Sequence, residues 1–339
     1  MRIGQNPAKA GLKAWQPHLL GVVIISYIPN QSGFFEESLQ IIQVEIASLR
    51  KHTSEDFDLY LFDNGSCPEV QEELLKLNQG GAIDFLTLSQ HNIGKIGALN
   101  WAIASMTNEW IMYSDSDFFF RKNWLEESMK LAEEFPTAAM ITAQPNIFDQ
   151  LEGKSKVLSE LNSNEFSLNS QKLDQAVIEN YCRGIGASKE MQEKYLAMDS
   201  LIVHRKINGA QAVFGACTAQ FLGKREYLEQ VFPLHYEFVI SREEDNEICR
   251  KVDSMRWLQV STFKPYVIHM GNHLDETILQ EIQDSKLNVL LDDLKNQIIN
   301  HKSNLAWKFL VKLNGIGFLR QIFKRLYINL FELYSIEKK

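Results

Sequence analysis

The sequence predicts an α/β fold in which a mostly parallel, Rossmann-like sheet carries helices on both faces, followed by a C-terminal helical extension. Over residues 18–150, short runs of apolar and β-branched residues alternate with the patterns of amphipathic helices. Strands that are buried on both faces consist of such continuous apolar runs. Strands that alternate with helices in this way form parallel sheets with right-handed crossovers.

The predicted elements follow one another in a regular order. The first strand is "LLGVVIISY" (19–27). A helix with one apolar face follows it, because large apolar residues recur at spacings of three and four between Phe35 and Leu49. The remaining elements are a strand at 58–66, a helix at 70–79, a strand at 82–89, a helix at 96–106, a strand at 109–115, a helix at 123–135 and a strand at 138–145.

The alternation ends near residue 150, and this sets the expected organisation of the chain. Residues 1–17 are polar and predict a flexible lead, whereas 18–150 form the first α/β half. Residues 151–205 are polar, lack apolar density and predict a helical insertion. Strand and helix patterns return in 206–300, which we expect to form the second half of the fold.

The last segment, 301–339, predicts a basic amphipathic helical tail. It holds eight Lys and Arg residues against two Glu residues. Within 304–334, basic residues interrupt large apolar and aromatic residues, a pattern typical of helices that lie in a membrane interface. A pair of terminal helices packed on the domain gives the same pattern, and the sequence leaves both interpretations open.

The composition narrows the class of protein. A net charge of −8 over 339 residues argues against nucleic-acid binding, which needs a basic surface. The four cysteines are widely separated and predict reduced thiols. The sequence has neither a signal-peptide pattern nor an uninterrupted run of 18 apolar residues. We therefore expect a cytoplasmic protein, peripheral on the inner face of the cell membrane if the tail binds there.

Three polar clusters follow strands of the predicted sheet: Ser26-Tyr27, Asp63-Asn64-Gly65-Ser66 and Asp115-Ser116-Asp117. Ligands of such sheets bind at the carboxyl ends of the strands. Asp115 and Asp117 lie on the same side of an extended chain, so both carboxylates can approach one Mg²⁺ or Mn²⁺. A solvated strand end gives the same short motif, and the motif alone does not decide between the two.

The motifs "VVIISY", "DNGS", "NIGKIGALN", "SDSD" and "EED", in this order, resemble those of the family 2 glycosyltransferases of the GT-A fold. The resemblance is clear over 20–135, fainter over 210–273, and absent from 151–205 and the tail. It implies a nucleotide-sugar-binding half at 18–150 and an acceptor-binding, catalytic half at 206–300. The run Phe118-Phe119-Phe120 departs from the family pattern, and we expect most of these rings to lie in the core.

The resemblance implies roles in donor binding. Ser26 and Tyr27 would line the nucleobase pocket, Tyr27 by stacking, and Asp63 would accept a hydrogen bond from the base. Lys95 would face the diphosphate, and Asp115 would contact the ribose or assist the metal. Asp63 could instead begin a turn, and Lys95 could be a solvated lysine at a helix start. The donor that we expect is a UDP-sugar.

The resemblance also implies a metal and a catalytic base. Asp117 and His269, with Asp115, would hold Mn²⁺ or Mg²⁺, which neutralises charge on the departing nucleoside diphosphate. In "REEDNEIC", the pair Glu244-Asp245 would supply the base: Asp245 would deprotonate the acceptor hydroxyl, whose attack inverts the anomeric carbon. The simpler interpretations are an acidic first helical turn and a loop histidine at the surface.

Two other functions fit the same pattern less well. A nucleotidyltransferase that acts on sugar phosphates needs a basic, Gly-rich phosphate loop after the first strand, but "IPNQSGFFEES" (28–38) contains no Lys or Arg. A non-catalytic carbohydrate- or membrane-binding relative would not need Asp115, Asp117 and Asp245. We therefore expect a glycosyltransferase of polysaccharide biosynthesis, with a glycan or lipid-linked acceptor.

Overall fold

The computed structural model describes residues 15–147, 155–161, 165–235 and 243–287. The described residues all lie in the first of the two units into which the chain divides, residues 1–292. The predicted tail at 301–339 and most of the predicted lead at 1–17 lie outside the described residues. No helix in the described part of the chain is both long enough and apolar enough to cross a bilayer.

Strands and helices alternate through the first half of the chain, as the sequence predicts. The strands are β1 (Leu20–Ser26), β2 (Phe57–Asp63), β3 (Phe85–Leu88), β4 (Trp110–Asp115), β5 (Phe118–Phe120), β6 (Ala138–Thr142), β7 (Phe166–Gln171), β8 (Ser200–Arg205), β9 (Ala210–Phe214), β10 (Gln220–Lys224), β11 (Leu258–Ser261) and β12 (Val267–His269). The α-helices are α1 (Ser38–His52), α2 (Pro68–Gln79), α3 (Gly94–Ser105), α4 (Trp124–Glu134), α5 (Ser155–Glu160), α6 (Gln175–Gly184), α7 (Lys189–Ala197), α8 (Arg225–Val231), α9 (Glu243–Ser254) and α10 (Glu276–Asp284).

Ten strands form one sheet in the order β3-β2-β1-β4-β10-β6-β11-β9-β8-β7. The pairs among β3, β2, β1 and β4 are parallel, as is the pair of β6 with β11. The strand β10 runs antiparallel between β4 and β6, and β7, β8 and β9 pair antiparallel. The predicted α/β fold is confirmed, with the parallel pairs concentrated in the first half.

The core lies around the parallel strands. Every residue of β1 and of β2 is buried, as their continuous apolar runs predict. One hydrophobic cluster joins these strands to the helices, and its members include Val23, Phe62, Leu99, Tyr113 and Phe221. The three aromatic residues of β5 are fully buried, which agrees with the expectation that most of them lie in the core.

The described part of 151–205 contains two strands in addition to helices of the kind that the sequence predicts. Besides α5, α6 and α7 it contains β7 and β8, which extend the main sheet beyond β9. The sequence does not predict β7, because five of its six residues are exposed and the strand therefore lacks the apolar alternation of a half-buried strand. A small hydrophobic cluster that includes Ile178, Cys182 and Ile202 joins this segment to Val213 of β9.

Candidate active site

Three parallel strands bring the predicted polar clusters to one edge of the sheet. The strand β1 lies between β2 and β4, and in register Ser26 lies beside Asp63 while Ile25 lies beside Asp115. Since the carboxyl ends of parallel strands share an edge, the polar residues at these ends lie close together.

Asp117 and His269 meet because β5 pairs with β12. The pairing places Phe118 beside His269, and the Met270 N–H donates to the Asp117 carbonyl at 2.7 Å. His269 Nε2 lies 3.1 Å from Asp117 Oδ2. The other carboxylate oxygen of Asp117, Oδ1, is buried and has no hydrogen-bond partner among the described residues. This edge of the site therefore offers one carboxylate oxygen whose bonding capacity is unused.

The backbone holds the other side of the His269 ring. His269 Nδ1 lies 2.7 Å from the Gly184 carbonyl oxygen, and a carbonyl only accepts, so Nδ1 carries the proton. Burial on its own lowers the pKa of His269, but Asp117 outweighs this effect, and the pKa rises to about 9. The Nε2 proton therefore lies between the ring and the Asp117 carboxylate.

Lys95, at the start of α3, links two of the predicted acids. Its Nζ lies 2.9 Å from Asp245 Oδ1 and 3.4 Å from the Asp115 carboxylate. Burial alone would lower the pKa of Lys95, but Asp115, Tyr113 and Asp245 raise it well above its usual value. The Tyr113 hydroxyl donates to Asp115 as well. Burial raises the pKa of Asp115, while Lys95 opposes that rise. Lys95 is therefore paired with Asp115 at the end of β4 and with Asp245 at the start of α9, and it is not a solvated lysine.

Glu244 lies in the first turn of α9, next to Asp245. Its Oε1 is buried and has no hydrogen-bond partner within the described residues. Burial raises the pKa of Glu244, and the positive charge of Lys95 works against this rise. Glu244 is thus more buried than an ordinary first-turn acid.

Asp63 and Tyr27 occupy different surroundings. The carboxylate of Asp63 is buried and accepts hydrogen bonds from Ser66 N at 3.1 Å, Gln71 Nε2 at 2.7 Å and Ser26 Oγ at 3.4 Å. In this structure Asp63 therefore begins the turn that follows β2. Tyr27 is 40% exposed and lines a cavity of about 400 Å³.

This cavity adjoins the Asp117–His269 pair. Apolar and polar residues both line it, and among them are Tyr27, Phe34, Phe35, Ile185, Ser116 and Asp117. The loops that form it are tied together, because Glu37 accepts hydrogen bonds from His273 Nδ1 and Leu274 N, both at 2.7 Å. The cavity is therefore bounded by the loops after β1 and β12 and by the turn after α6.

The donor set suits a hard divalent cation that keeps other oxygen ligands. In the described part of the chain, no three His, Cys, Asp or Glu side chains are grouped closely enough to hold a metal ion alone. Asp117 and His269 supply one carboxylate and one imidazole nitrogen, and Mg²⁺ commonly takes one or two protein ligands, waters and substrate phosphates. Asp115, by contrast, is directed toward Lys95 and Tyr113. The residues fit such a cation, with Asp117 and His269 as the ligands best placed.

Sequence reasoning missed a polar face of α1 that holds β5. Phe118 N donates to Glu45 Oε2 at 3.4 Å, Phe120 N donates to Ser48 Oγ at 3.0 Å, and His52 Nδ1 donates to the Phe120 carbonyl at 2.6 Å. Glu45, Ser48 and His52 are all buried. Their spacing of three and four places them on one helix face, a signal that the sequence contained. The side chains on this face form hydrogen bonds with backbone groups of β5 that do not pair with β12. They thereby hold β5 in place, and with it Asp117, the residue that precedes β5.

Comparisons with known proteins agree with the predicted family. The model of the family described as "Glycosyl transferase family 2" matches residues 34–196. No curated protein matches the chain.

Several solved structures resemble parts of it. They include TarS 1–349 of S. aureus (17% identity, 38% of this chain and 35% of that chain, TM-score 0.30). They also include the mannosyltransferase PcManGT from Pyrobaculum calidifontis in complex with GDP-Man and Mn²⁺ (13% identity, 74% and 55%, TM-score 0.41). A third is GalNAc-T7 with UDP, GalNAc and Mn²⁺ (13% identity, 75% and 43%, TM-score 0.44). The chain thus spans from about a third to just over half of these proteins.

The family match begins just before α1 and ends within α7. It includes Asp63, Lys95, Asp115 and Asp117. Residues 34–196 of the chain are therefore similar to the glycosyltransferases of family 2.

Proposed function

We propose that the chain transfers a sugar from a nucleoside diphosphate sugar to a hydroxyl group of a glycan or lipid-linked acceptor, with inversion and with Mn²⁺ or Mg²⁺ as cofactor. One observation carries the proposal. Asp117 and His269 lie 3.1 Å apart, and the buried Asp117 Oδ1 has no hydrogen-bond partner within the described residues. The contacts of Lys95 with Asp115 and Asp245 support the same proposal, since they bring Asp245 to this sheet edge.

Donor binding uses the loops after β1, β2 and β4. Tyr27 stacks on the nucleobase, with Ser26 and Asp63 lining its pocket, and Asp115 contacts the ribose or assists the metal. The Asp63 carboxylate already accepts hydrogen bonds from Ser66 and Gln71. It therefore accepts a hydrogen bond from the base through a lone pair that these two donors do not use. A UDP-sugar remains the donor that we expect.

Asp117 and His269 hold the cation, and Lys95 donates to the diphosphate. When bound, Mn²⁺ or Mg²⁺ supplies Lewis-acid stabilisation of the negative charge on the departing diphosphate. Lys95 is suited to an anionic group because its ammonium already sits between two carboxylates and is held charged. The Nδ1–H bond to Gly184 directs Nε2 of His269 toward Asp117.

Asp245 is the general base of the transfer, with Glu244 beside it. The acceptor hydroxyl oxygen forms a bond to the anomeric carbon, while the bond from that carbon to the diphosphate oxygen breaks. The hydroxyl proton passes to Asp245, and the electron pair of the broken bond leaves with the nucleoside diphosphate. Because the hydroxyl attacks opposite the leaving group in one displacement, the anomeric centre inverts.

The composition of the tail supports our proposal for the acceptor and for the location of the protein. The basic, aromatic-rich residues 304–334 lie outside the described residues, and their composition favours peripheral contact with an anionic membrane surface. A lipid-linked acceptor would be presented at such a surface, which agrees with a role in polysaccharide biosynthesis at the inner face of the cell membrane.

A donor screen tests the proposal. The full chain is incubated with UDP-, GDP- and dTDP-sugars, with Mn²⁺ or with EDTA, and release of the nucleoside diphosphate is measured. We expect release with one nucleotide class, only when Mn²⁺ or Mg²⁺ is present, and its loss in Asp117→Asn. Release of inorganic pyrophosphate from a nucleoside triphosphate and a sugar phosphate would instead identify a nucleotidyltransferase.

A further inference from the structure

We propose that the turn formed by residues 183–186, at the end of α6, is a positioning element that sets the orientation of His269 toward its cation. The inference rests on the proposed function in one respect, namely that Asp117 and His269 bind Mn²⁺ or Mg²⁺. It assigns a role to a segment that the sequence predicts to be an insertion without family resemblance, an expectation that the family match through residue 196 corrects.

Two hydrogen bonds join this turn to His269. The Gly184 carbonyl accepts the ring Nδ1–H at 2.7 Å, and Arg183 Nη2 donates to the His269 carbonyl at 3.4 Å. The turn therefore holds both the side chain and the backbone of the same residue. A histidine that binds a metal through one nitrogen commonly donates its other N–H to a carbonyl, which fixes the ring.

Arg183 is itself anchored to the loop after β12. Its Nη1 lies 2.7 Å from Asp275 Oδ2, and the other carboxylate oxygen of Asp275 accepts from Ile278 N at 3.0 Å. Asp275 thus caps α10 and holds Arg183 at the same time. Because the cap fixes the loop and the loop fixes Arg183, the turn and His269 form one connected unit.

The backbone packing explains why residue 184 is glycine. A Cβ at position 184 would lie 2.4 Å from the His269 carbonyl oxygen and 2.9 Å from the His269 Cβ. On the opposite side, a Cβ at Gly271, whose φ is +73°, would lie 3.0 Å from the Gly184 carbonyl oxygen. Any side chain at 184 must therefore displace His269, and the hydrogen bond to Nδ1 depends on this close approach.

The same turn closes one side of the cavity beside Asp117. Gly184, Ile185 and Gly186 all line it, and Ile185 is 38% exposed. Asp117 and His269, which would hold the cation, line the same cavity. The turn thus both orients a ligand and bounds the space next to the cation.

The test is Mn²⁺ binding to the full chain in the presence of UDP, measured from the electron paramagnetic resonance signal of free Mn²⁺. We expect Gly184→Ala to weaken Mn²⁺ binding by roughly 10- to 100-fold, the usual effect of losing the partner of a ligating histidine. A second readout on the metal-free protein is the ring Nδ1–H resonance of His269, which we expect to be protected in the wild type and lost in Gly184→Ala.

Gly223→Ala is the matched control. A Cβ at Gly223, in β10, would lie 2.5 Å from the Ala139 carbonyl oxygen, so the same substitution meets the same crowding away from His269. We expect it to lower the melting temperature and to leave Mn²⁺ affinity unchanged. Equal losses of Mn²⁺ affinity in the two variants would show a general structural effect and overturn the inference.

Arg183→Met covers the case in which Gly184→Ala does not fold. It removes one hydrogen bond to His269 and the ion pair with Asp275, and we expect Mn²⁺ binding to weaken by about fivefold. Wild-type affinity in a folded Gly184→Ala or Arg183→Met overturns the inference while the proposed function stands. Failure of the wild type to bind Mn²⁺ with any nucleotide tested overturns the proposed cation site itself.

Discussion

Lys95 Nζ lies 2.9 Å from Asp245 Oδ1 and 3.4 Å from the Asp115 carboxylate, so a single ammonium group joins α3, α9 and the end of β4. The proposed base and the proposed donor-binding acid are thus held around one cation that the donor diphosphate would also contact.

Replacing Asp245 tests its role as the base. Asp245→Asn keeps an oxygen that can accept from Lys95 but cannot take a proton, so we expect turnover to fall by about 10²- to 10⁴-fold while donor affinity changes little. Steady-state kinetics gives turnover, and calorimetric titration with the nucleoside diphosphate and Mn²⁺ gives affinity. Glu247→Gln, on the same helix and half-exposed, is the control and should behave as the wild type. An Asp245→Asn enzyme that retains wild-type turnover would exclude this residue as the base.

Removing the charge of Lys95 should weaken donor binding more than it slows transfer. In Lys95→Met the diphosphate loses a charged donor, and we expect donor affinity to drop by about 10- to 100-fold, as for the loss of one charge-assisted hydrogen bond. The KM for the donor and the binding constant of the free nucleoside diphosphate measure this effect. Lys76→Met provides a control, because Lys76 is paired with Glu73 on α2 rather than with the site. Unaltered donor KM would restrict Lys95 to a structural role.

Asp117 is expected to govern the cation. Asp117→Asn preserves the size of the side chain but removes the negative charge opposite His269, so Mn²⁺ should bind more weakly and the reaction should need more Mn²⁺ for half-maximal rate. Asp284→Asn, at the end of α10, changes an acid with no contact to the site and serves as the comparison. The idea fails if both variants show the same Mn²⁺ requirement.

Much of this arrangement could be predicted from sequence because local patterns encode it. The sequence shows directly the apolar runs of β1, β2 and β4 and the polar residues that follow them. The parallel arrangement of these strands then places the polar residues together. The contact of Asp117 with His269 follows from the pairing of two three-residue strands. Strands that short give no periodic signal, so only the family resemblance pointed to His269.

The remaining features depend on long-range packing that one sequence does not display. Gly184 lies 85 positions before His269, and nothing local links the turn after α6 to a histidine in another loop. The strand β10 enters the sheet antiparallel between β4 and β6, although its sequence reads only as a short apolar run. Glutamate usually lies at the surface, so the sequence does not indicate that Glu45 is buried. Its burial becomes evident only when β5 is seen to pack against α1.

The tail gives a prediction that is independent of the site. If residues 304–334 lie in a membrane interface, deletion of 304–339 should abolish co-sedimentation with vesicles that contain anionic lipid, since each basic residue near such a surface contributes about 1 kcal/mol. A full-length variant with Gln at the basic positions tests charge alone; the changed residues are Lys308, Lys312, Arg320, Lys324 and Arg325. Undiminished sedimentation of the deleted chain would favour a tail packed on protein.

Glu45 should make the metal-free protein less stable as pH rises. Burial raises its pKa well above the ordinary value of 4.5, and the neighbouring charges of Asp117 and Asp115 add to that rise, whereas its hydrogen bond with Ser114 opposes it. Below about pH 4.5 the folded and unfolded states both keep the proton, so ionisation of Glu45 costs nothing. Above that pH the unfolded chain releases the proton while the folded protein retains it, and stability is lost until the folded pKa is passed.

Glu45→Gln removes this dependence, because glutamine has no proton to release and retains an oxygen for Phe118 N. In EDTA, we expect the free energy of unfolding of Glu45→Gln minus that of the wild type to increase from pH 5 to pH 8, with a slope of up to about 1.4 kcal/mol per pH unit. Urea denaturation at each pH measures the difference. A difference that stays constant over this range would show that Glu45 is ionised in the folded protein, and that the buried carboxyl behind Asp117 carries a charge.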